Sequence, residues 1–136
     1  MHEPEFSVVI PVFNRPQEVE EILLSLTKQS VKDFEVIIVE DASTKRCDSV
    51  VDSFRDKLKV EYYFKPNSGP GASRNFGFTY AKGRYFVVFD SDCTLPPEYF
   101  QAVKESILKN HWDAWGGPDR AHANFTLKQR AMAYTM

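Results

Sequence analysis

The chain has 136 residues, 43% of them apolar and 26% charged, and a formal net charge of −2. This suffices for one packed domain, and with no Lys/Arg block or basic tail nothing asks for nucleic acid or an anionic membrane surface as partner. Cys47 and Cys93 form neither a CxxC nor a zinc-like spacing and read as reduced thiols, and no apolar run approaches the ~20 residues that a membrane helix requires.

Met1 to Glu5 carries acid where a secretory leader would carry base. Phe6 to Val12 then reads as a buried strand with Pro11 near its end. Pro16 suits the first turn of a helix, and Val19, Ile22, Leu23 and Leu26 supply one apolar face at i, i+3, i+4 and i+7. Phe34 to Val39 is a second strand that closes on Glu40-Asp41. Ala42-Ser43-Thr44 makes a turn and cap, and Val50, Val51 and Phe54 mark a second amphipathic helix. Val60 to Phe64 forms a third strand, followed by a loop rich in breakers from Lys65 to Gly71. Ala72 to Lys82 is expected to be helical with Gly83 as its C-cap, and Tyr85 to Phe89 is a fourth strand. Pro96-Pro97 opens another helix, Ala114-Trp115 is a short strand, and Lys128 to Met136 reads as the first turns of a last helix with no stop signal. The chain is therefore expected to be the N-terminal piece of a longer protein. Strands alternating with helices imply an α/β architecture with a largely parallel sheet.

Functional groups gather at four strand ends: Phe13-Asn14-Arg15, Glu40-Asp41, Asn67 to Asn75, and Asp90-Ser91-Asp92. Open α/β sheets bind ligands at the carboxyl ends of their strands, so these groups can converge on one site. Phe13 can pack against a flat base, Asp41 can accept hydrogen bonds from base N–H groups, and Arg74 can reach the base or phosphates. Asp90 can accept from ribose hydroxyls. Asp92 can ligate a divalent cation that bridges a diphosphate. Each has a plain structural alternative: Phe13 as core, Asp41 as a turn former, Arg74 as a solvated helix residue.

The segment from Ser7 to Arg15 resembles the opening strand of family 2 glycosyltransferases. Phe34 to Thr44 is similar to the second strand of that family, with Asp-Asp-Gly-Ser replaced by Glu40-Asp41-Ala42-Ser43. Asn67-Ser68-Gly69 through Ala72-Ser73-Arg74-Asn75-Phe76-Gly77 resembles its Asn-x-Gly…Ala-Arg-Asn-x-Gly helix start, and Asp90-Ser91-Asp92 falls at its DxD. Order and spacing hold over roughly residues 6 to 117. The resemblance implies a GT-A (Rossmann-like) fold, with residues 1–136 as the nucleotide-sugar-binding portion of a single glycosyltransferase domain. It implies a nucleotide-diphosphate sugar donor, most often a UDP-sugar, and Mn²⁺ or Mg²⁺ as cofactor. Pro11, Phe13 and Asp41 would line the base pocket, with Glu40 and Arg74 beside it, Asp90 at the ribose and Asp92 on the metal. Asn14 and Ser91 complete the donor-binding set. The implied reaction is an inverting transfer to the hydroxyl of a glycan or lipid-linked acceptor, in surface polysaccharide synthesis, in the cytoplasm or at the inner membrane face. Any membrane attachment would come through residues outside this chain. The carboxylate base of such a transfer has no good match before Met136. Asp119 is the nearest candidate, and the base is expected beyond residue 136. Two departures stand out: Phe13 replaces the more usual Tyr, and Cys93 stands where a further Asp is common.

Val87 to Leu95 also resembles the hhhDxDxT motif of haloacid dehalogenase-type phosphatases, with Asp90 as nucleophile and Asp92 as general acid. That fold places its nucleophile strand near the start and needs a later Lys and acidic pair, so the three upstream βα units would go unexplained. A non-catalytic nucleotide-sugar-binding module is the third possibility.

Overall fold

Phe6–Val12 (β1) is apolar on both faces, as a strand covered on both sides must be. Phe6, Val8, Ile10 and Val12 pack into one buried cluster and Val9 into a second. In the computed structural model, which describes residues 4–66, 69–110, 114–116 and 132–135, nine further elements follow. They are α1 (Pro16–Thr27), β2 (Phe34–Asp41), α2 (Asp48–Asp52), β3 (Val60–Lys65), α3 (Gly69–Phe78), β4 (Tyr85–Val88), α4 (Tyr99–Asn110), β5 (Ala114–Gly116) and β6 (Met132–Thr135). The sheet order is β3-β2-β1-β4-β6-β5. The first four strands run parallel, and β6 is antiparallel to both β4 and β5.

The two faces of the sheet carry different layers. Val19, Ile22, Leu23 and Leu26 of α1, Val51 of α2, and Tyr99, Phe100 and Val103 of α4 join the larger cluster with the even-numbered residues of β1 and β2. Val9, Ile37 and Val39 face the other way, against Phe76 and Phe78 of α3. α3 lies close because its sheet-facing position is a glycine: a Cβ on Gly77 would stand 2.5 Å from Val9 Cγ1 and 3.2 Å from Val39 Cγ2. The buried side chain of Gln29 ties the end of α1 to the first turn of α4 and the segment before it, donating to Pro96 O at 2.7 Å and accepting from Phe100 N–H at 3.3 Å.

Three expectations are corrected. The segment expected to be a last helix contains a strand, with Met132–Thr135 registered against Val88 to Tyr85; Lys128 and Leu127 lie outside the described residues. β4 pairs with β1 along one edge only, and its other edge presents N–H and C=O groups that a short apolar segment can satisfy. Pairing there outweighs local helix propensity. Gly83 is no C-cap, because α3 already ends at Phe78. Its N–H donates instead to Ser7 Oγ at 2.7 Å, and that hydroxyl donates to buried Glu35 at 2.6 Å. Pro96 and Pro97 form the turn ahead of α4, with Tyr99 N–H donating to Pro96 O at 3.1 Å.

A Cβ on Gly83 would lie 2.7 Å from the backbone of both Phe6 and Ser7. Gly83→Ala is therefore expected to lower stability by about 1–3 kcal/mol, read as a lower urea midpoint. Gly71→Ala, whose Cβ meets nothing closer than 3.8 Å, should show no such loss.

Candidate functional site

The parallel register brings the carboxyl ends of β1, β2 and β4 to one edge of the sheet. There Pro11, Val12, Phe13, Asp41, Ser73, Asp90 and Ser91 line an open cleft of about 180 Å³. Five of the residues expected at a donor site thus meet: Pro11, Phe13, Asp41, Asp90 and Ser91. Phe13 is 49% exposed at the rim and so offers a free ring face, where a core role would have buried it.

Asp41 and Glu40 are neighbours in sequence and separate in space. Successive residues of a strand point to opposite faces. Asp41 therefore lies on the α3 side, with Ile37 and Val39, and Glu40 on the α1 and α2 side, with Val36 and Ile38. Asp41 Oδ2 accepts from Gly69 N–H at 2.9 Å, and its Oδ1 accepts from Lys65 Nζ at 3.1 Å. Both side chains of this ion pair are buried, and removing one partner from such a pair costs several kcal/mol. A carboxylate beside the first N–H of a helix also interacts well with the helix dipole. Asp41 is thus held in one orientation.

Glu40 does not join the cleft. It is fully buried, and its Oε1 accepts from Tyr62 OH at 2.6 Å and Cys47 N–H at 2.9 Å. Burial, helped by the charge of Glu40, pushes the Cys47 thiol and the Tyr62 phenol well above their ordinary pKa values. Asn14 is a fastener as well. Its Oδ1 accepts from Thr44 N–H at 2.8 Å and Lys45 N–H at 2.9 Å, and its own N–H donates to Ser43 Oγ at 2.8 Å. These bonds join the loop after β1 to the loop after β2. Both loops hold a left-handed residue, Asn14 and Ala42, each at φ 55°. Asparagine tolerates that conformation and alanine does not, so the alanine in Glu-Asp-Ala-Ser carries strain that a glycine would relieve.

Arg74 sits on α3 but does not line the cleft; its Nη2 lies 3.8 Å from where a Cβ on Gly71 would be. Ser91 reaches the cleft while its hydroxyl donates to Glu18 Oε1 at 3.0 Å, and Glu18 also pairs with Arg15 at 3.6 Å. Asp92 is exposed at the turn after β4. Cys93 is buried in the larger core cluster, which accounts for an apolar thiol where an acid is common. Among the described residues no three His, Cys, Asp or Glu side chains gather to hold a metal. Asp92, with Asp90 two residues before it, suits a cation of the magnesium type, which takes one or two carboxylates and fills its sphere with phosphate oxygens and water. Asn67, Ser68 and Asp119 lie outside the described residues.

Sequence reasoning missed Ser73, Val12, Lys65 and Glu18. By sequence Ser73 stands only as one residue of the helix-start motif. Lys65 was read as the first residue of a loop, and nothing in its neighbours marks it as buried.

Residues 7–135 match the Glycosyl transferase family 2 model. An uncharacterized glycosyltransferase of Haemophilus influenzae is 33% identical over 113 residues, which are 82% of this chain and 45% of that one. The poly(ribitol-phosphate) β-N-acetylglucosaminyltransferase TarS of Staphylococcus aureus is 34% identical over 113 residues, covering 80% of this chain and 20% of the relative. The crystal structure of TarS 1–349 in complex with UDP-GlcNAc superposes with a TM-score of 0.77 at 31% identity, covering 87% of this chain and 36% of that one. A mannosyltransferase from Pyrobaculum calidifontis, solved with GDP-Man and Mn²⁺, shares the fold at a TM-score of 0.76 and 19% identity, covering 99% of this chain and 45% of that one. The chain thus spans less than half the length of these proteins. A match running through all four parallel strands overturns the phosphatase reading, for which Asp90 would have to follow an opening strand.

Two measurements check the local chemistry. Ala42→Gly is expected to raise stability by about 0.5–1 kcal/mol, the strain relieved less the added freedom of the unfolded chain, seen as a higher urea midpoint. Cys47 and Tyr62 stay protonated in the folded chain where the unfolded chain ionises them, from ordinary values of 9.0 and 10.0. Their pKa values are raised by folding, so the stability they supply is whole below pH 9 and lost as pH rises further. The urea midpoint should hold to about pH 8.5 and fall beyond pH 9.

Proposed function

This chain belongs to glycosyl transferase family 2, and from that premise we propose that it is the donor-binding part of an inverting glycosyltransferase acting on a UDP-sugar. The observation that supports this most is the meeting of Pro11, Phe13, Asp41, Asp90 and Ser91 at one cleft on the carboxyl edge of a parallel sheet, where this kind of sheet takes its ligands. The UDP-GlcNAc bound by the S. aureus relative favours uridine over other nucleosides.

In this reading the exposed ring of Phe13 stacks on the base, and Asp41, held by Lys65 and the start of α3, accepts from its ring N–H. Asp90 takes the ribose hydroxyls. Asp92 holds Mn²⁺ or Mg²⁺ against the diphosphate. When bound, the metal supplies Lewis acidity and neutralises the leaving diphosphate. Glu18 keeps the 90–92 turn in place through Ser91, while Asn14 joins the loop that carries Phe13 to the loop that follows Asp41. Glu40 contributes by bracing the strand end from the opposite face. The base that deprotonates the acceptor hydroxyl comes from outside the described residues, as do the groups that select the sugar and a glycan or lipid-linked acceptor. No helix among the described residues is long and apolar enough to cross a membrane.

Thermal-shift titration with UDP, GDP and inorganic phosphate, each with and without Mn²⁺, tests the reading. A ligand at 100 times its Kd adds roughly 2.7 kcal/mol of stability. UDP should raise the midpoint in a Mn²⁺-dependent way, and Asp92→Ala should abolish the metal dependence while leaving the unliganded midpoint unchanged. If UDP stabilises equally without metal, the metal assignment is wrong. Binding without turnover of any UDP-sugar by the full-length protein would mark a non-catalytic module instead.

A further inference from the structure

Ser73 is the anomaly of the cleft. It lines the cavity, is 0% exposed, and its Oγ has no hydrogen-bond partner among the described residues. Serine within a helix commonly satisfies its hydroxyl on the carbonyl one turn back; Ser25 of α1 does so on Ile22 O, three residues earlier. Ser73 does not. A buried polar atom without a partner is uncommon in folded proteins and calls for a specific cause.

Its place in the fold narrows what it can serve. Ser73 lies one helical turn before Gly77, whose notional Cβ meets Val9 of β1 and Val39 of β2. Residues one turn apart share a helix face, so Ser73 stands above the ends of those same two strands, beside Pro11 and Asp41. Asp90 and Ser91 follow β4, which lies on the far side of β1 from β2. The hydroxyl therefore belongs to the half of the cleft where Asp41 is, away from the half that faces the ribose and diphosphate.

We infer that Ser73 is a specificity-determining residue whose hydroxyl hydrogen-bonds the base of the nucleotide donor, next to the ring N–H that Asp41 accepts. The inference rests on the donor-site reading above. A carboxylate already receiving from Lys65 and Gly69 presents an acceptor; a hydroxyl can donate. Together they match a ring N–H beside a carbonyl, the edge that uracil and guanine present and that adenine lacks. The unsatisfied atom of the free chain becomes satisfied when such a base enters.

Ser73→Ala tests this, since deleting a buried hydroxyl that bonds nothing leaves packing intact. The unliganded midpoint should stay level or rise, UDP with Mn²⁺ should bind roughly three- to tenfold more weakly, and pyrophosphate with Mn²⁺ should bind as before. UDP affinity equal to wild type overturns the inference. An equal loss for UDP and pyrophosphate also overturns it, placing the hydroxyl at the diphosphate, and a lowered unliganded midpoint with no change in the UDP-to-pyrophosphate ratio would make Ser73 structural only. A wild-type protein that binds pyrophosphate but no nucleotide overturns the base pocket itself, and this role with it.

Discussion

The two-residue period of the second strand governs this molecule. Because Glu40 and Asp41 are consecutive at its end, one acid must turn inward and the other toward the ligand edge. The inward one is committed to Tyr62 and Cys47 and ties the strand end to β3 and α2. The outward one is clamped between a buried lysine and the first turn of α3. A slip of one residue in register would exchange the two, leaving a braced interior without its brace and a cleft without its fixed acceptor.

Around that pivot the rim is assembled by short polar links. Asn14 binds two loops with its single side-chain oxygen, Glu18 reaches from α1 to Ser91, and Gly77 lets α3 settle close enough for Ser73 to enter the cavity. Left-handed backbone occurs among the non-glycine residues at Asn14 and Ala42, both within these links. Backbone held in sparsely populated conformations tends to cluster at binding sites, where the surrounding structure over-determines it. Here it turns each loop away from its strand end, and Phe13 is left exposed at the rim beside buried Asp41.

Much of this was legible in the sequence. The β1 and β2 runs are apolar at nearly every position, which is the mark of strands covered on both faces, and α1 announces itself through Pro16 and its aliphatic spacing. The strand-end acids pointed to the carboxyl edge of the sheet, where Asp41 and Asp90 line one cleft. What could not be read was parity and partnership. Whether Glu40 or Asp41 faces the cleft depends on which face α3 covers, and that is a tertiary fact. Lys65 is buried only because Asp41 stands beside it on the neighbouring strand. Asn14 sits within the donor motif by sequence, yet its oxygen is occupied by amides thirty residues on. Met132–Thr135 had no local mark of a strand, since its state is set by the open edge of β4.

The position of β1 also bears on how the chain comes to be folded. β1 lies between β2 and β4, and both follow it in the sequence. During synthesis it therefore emerges before either neighbour, with two bare edges and an apolar surface on each face. The β2 edge can close once Phe34–Asp41 is out, but the β4 edge waits until Tyr85–Val88 has cleared the ribosome. At ~5–20 residues per second, that is an interval of several seconds in which the most central strand is also the most exposed to foreign strands. Long-range parallel pairing of this kind is slow to form, and a nascent chain so arranged should lean on chaperones that shield unpaired β-edges.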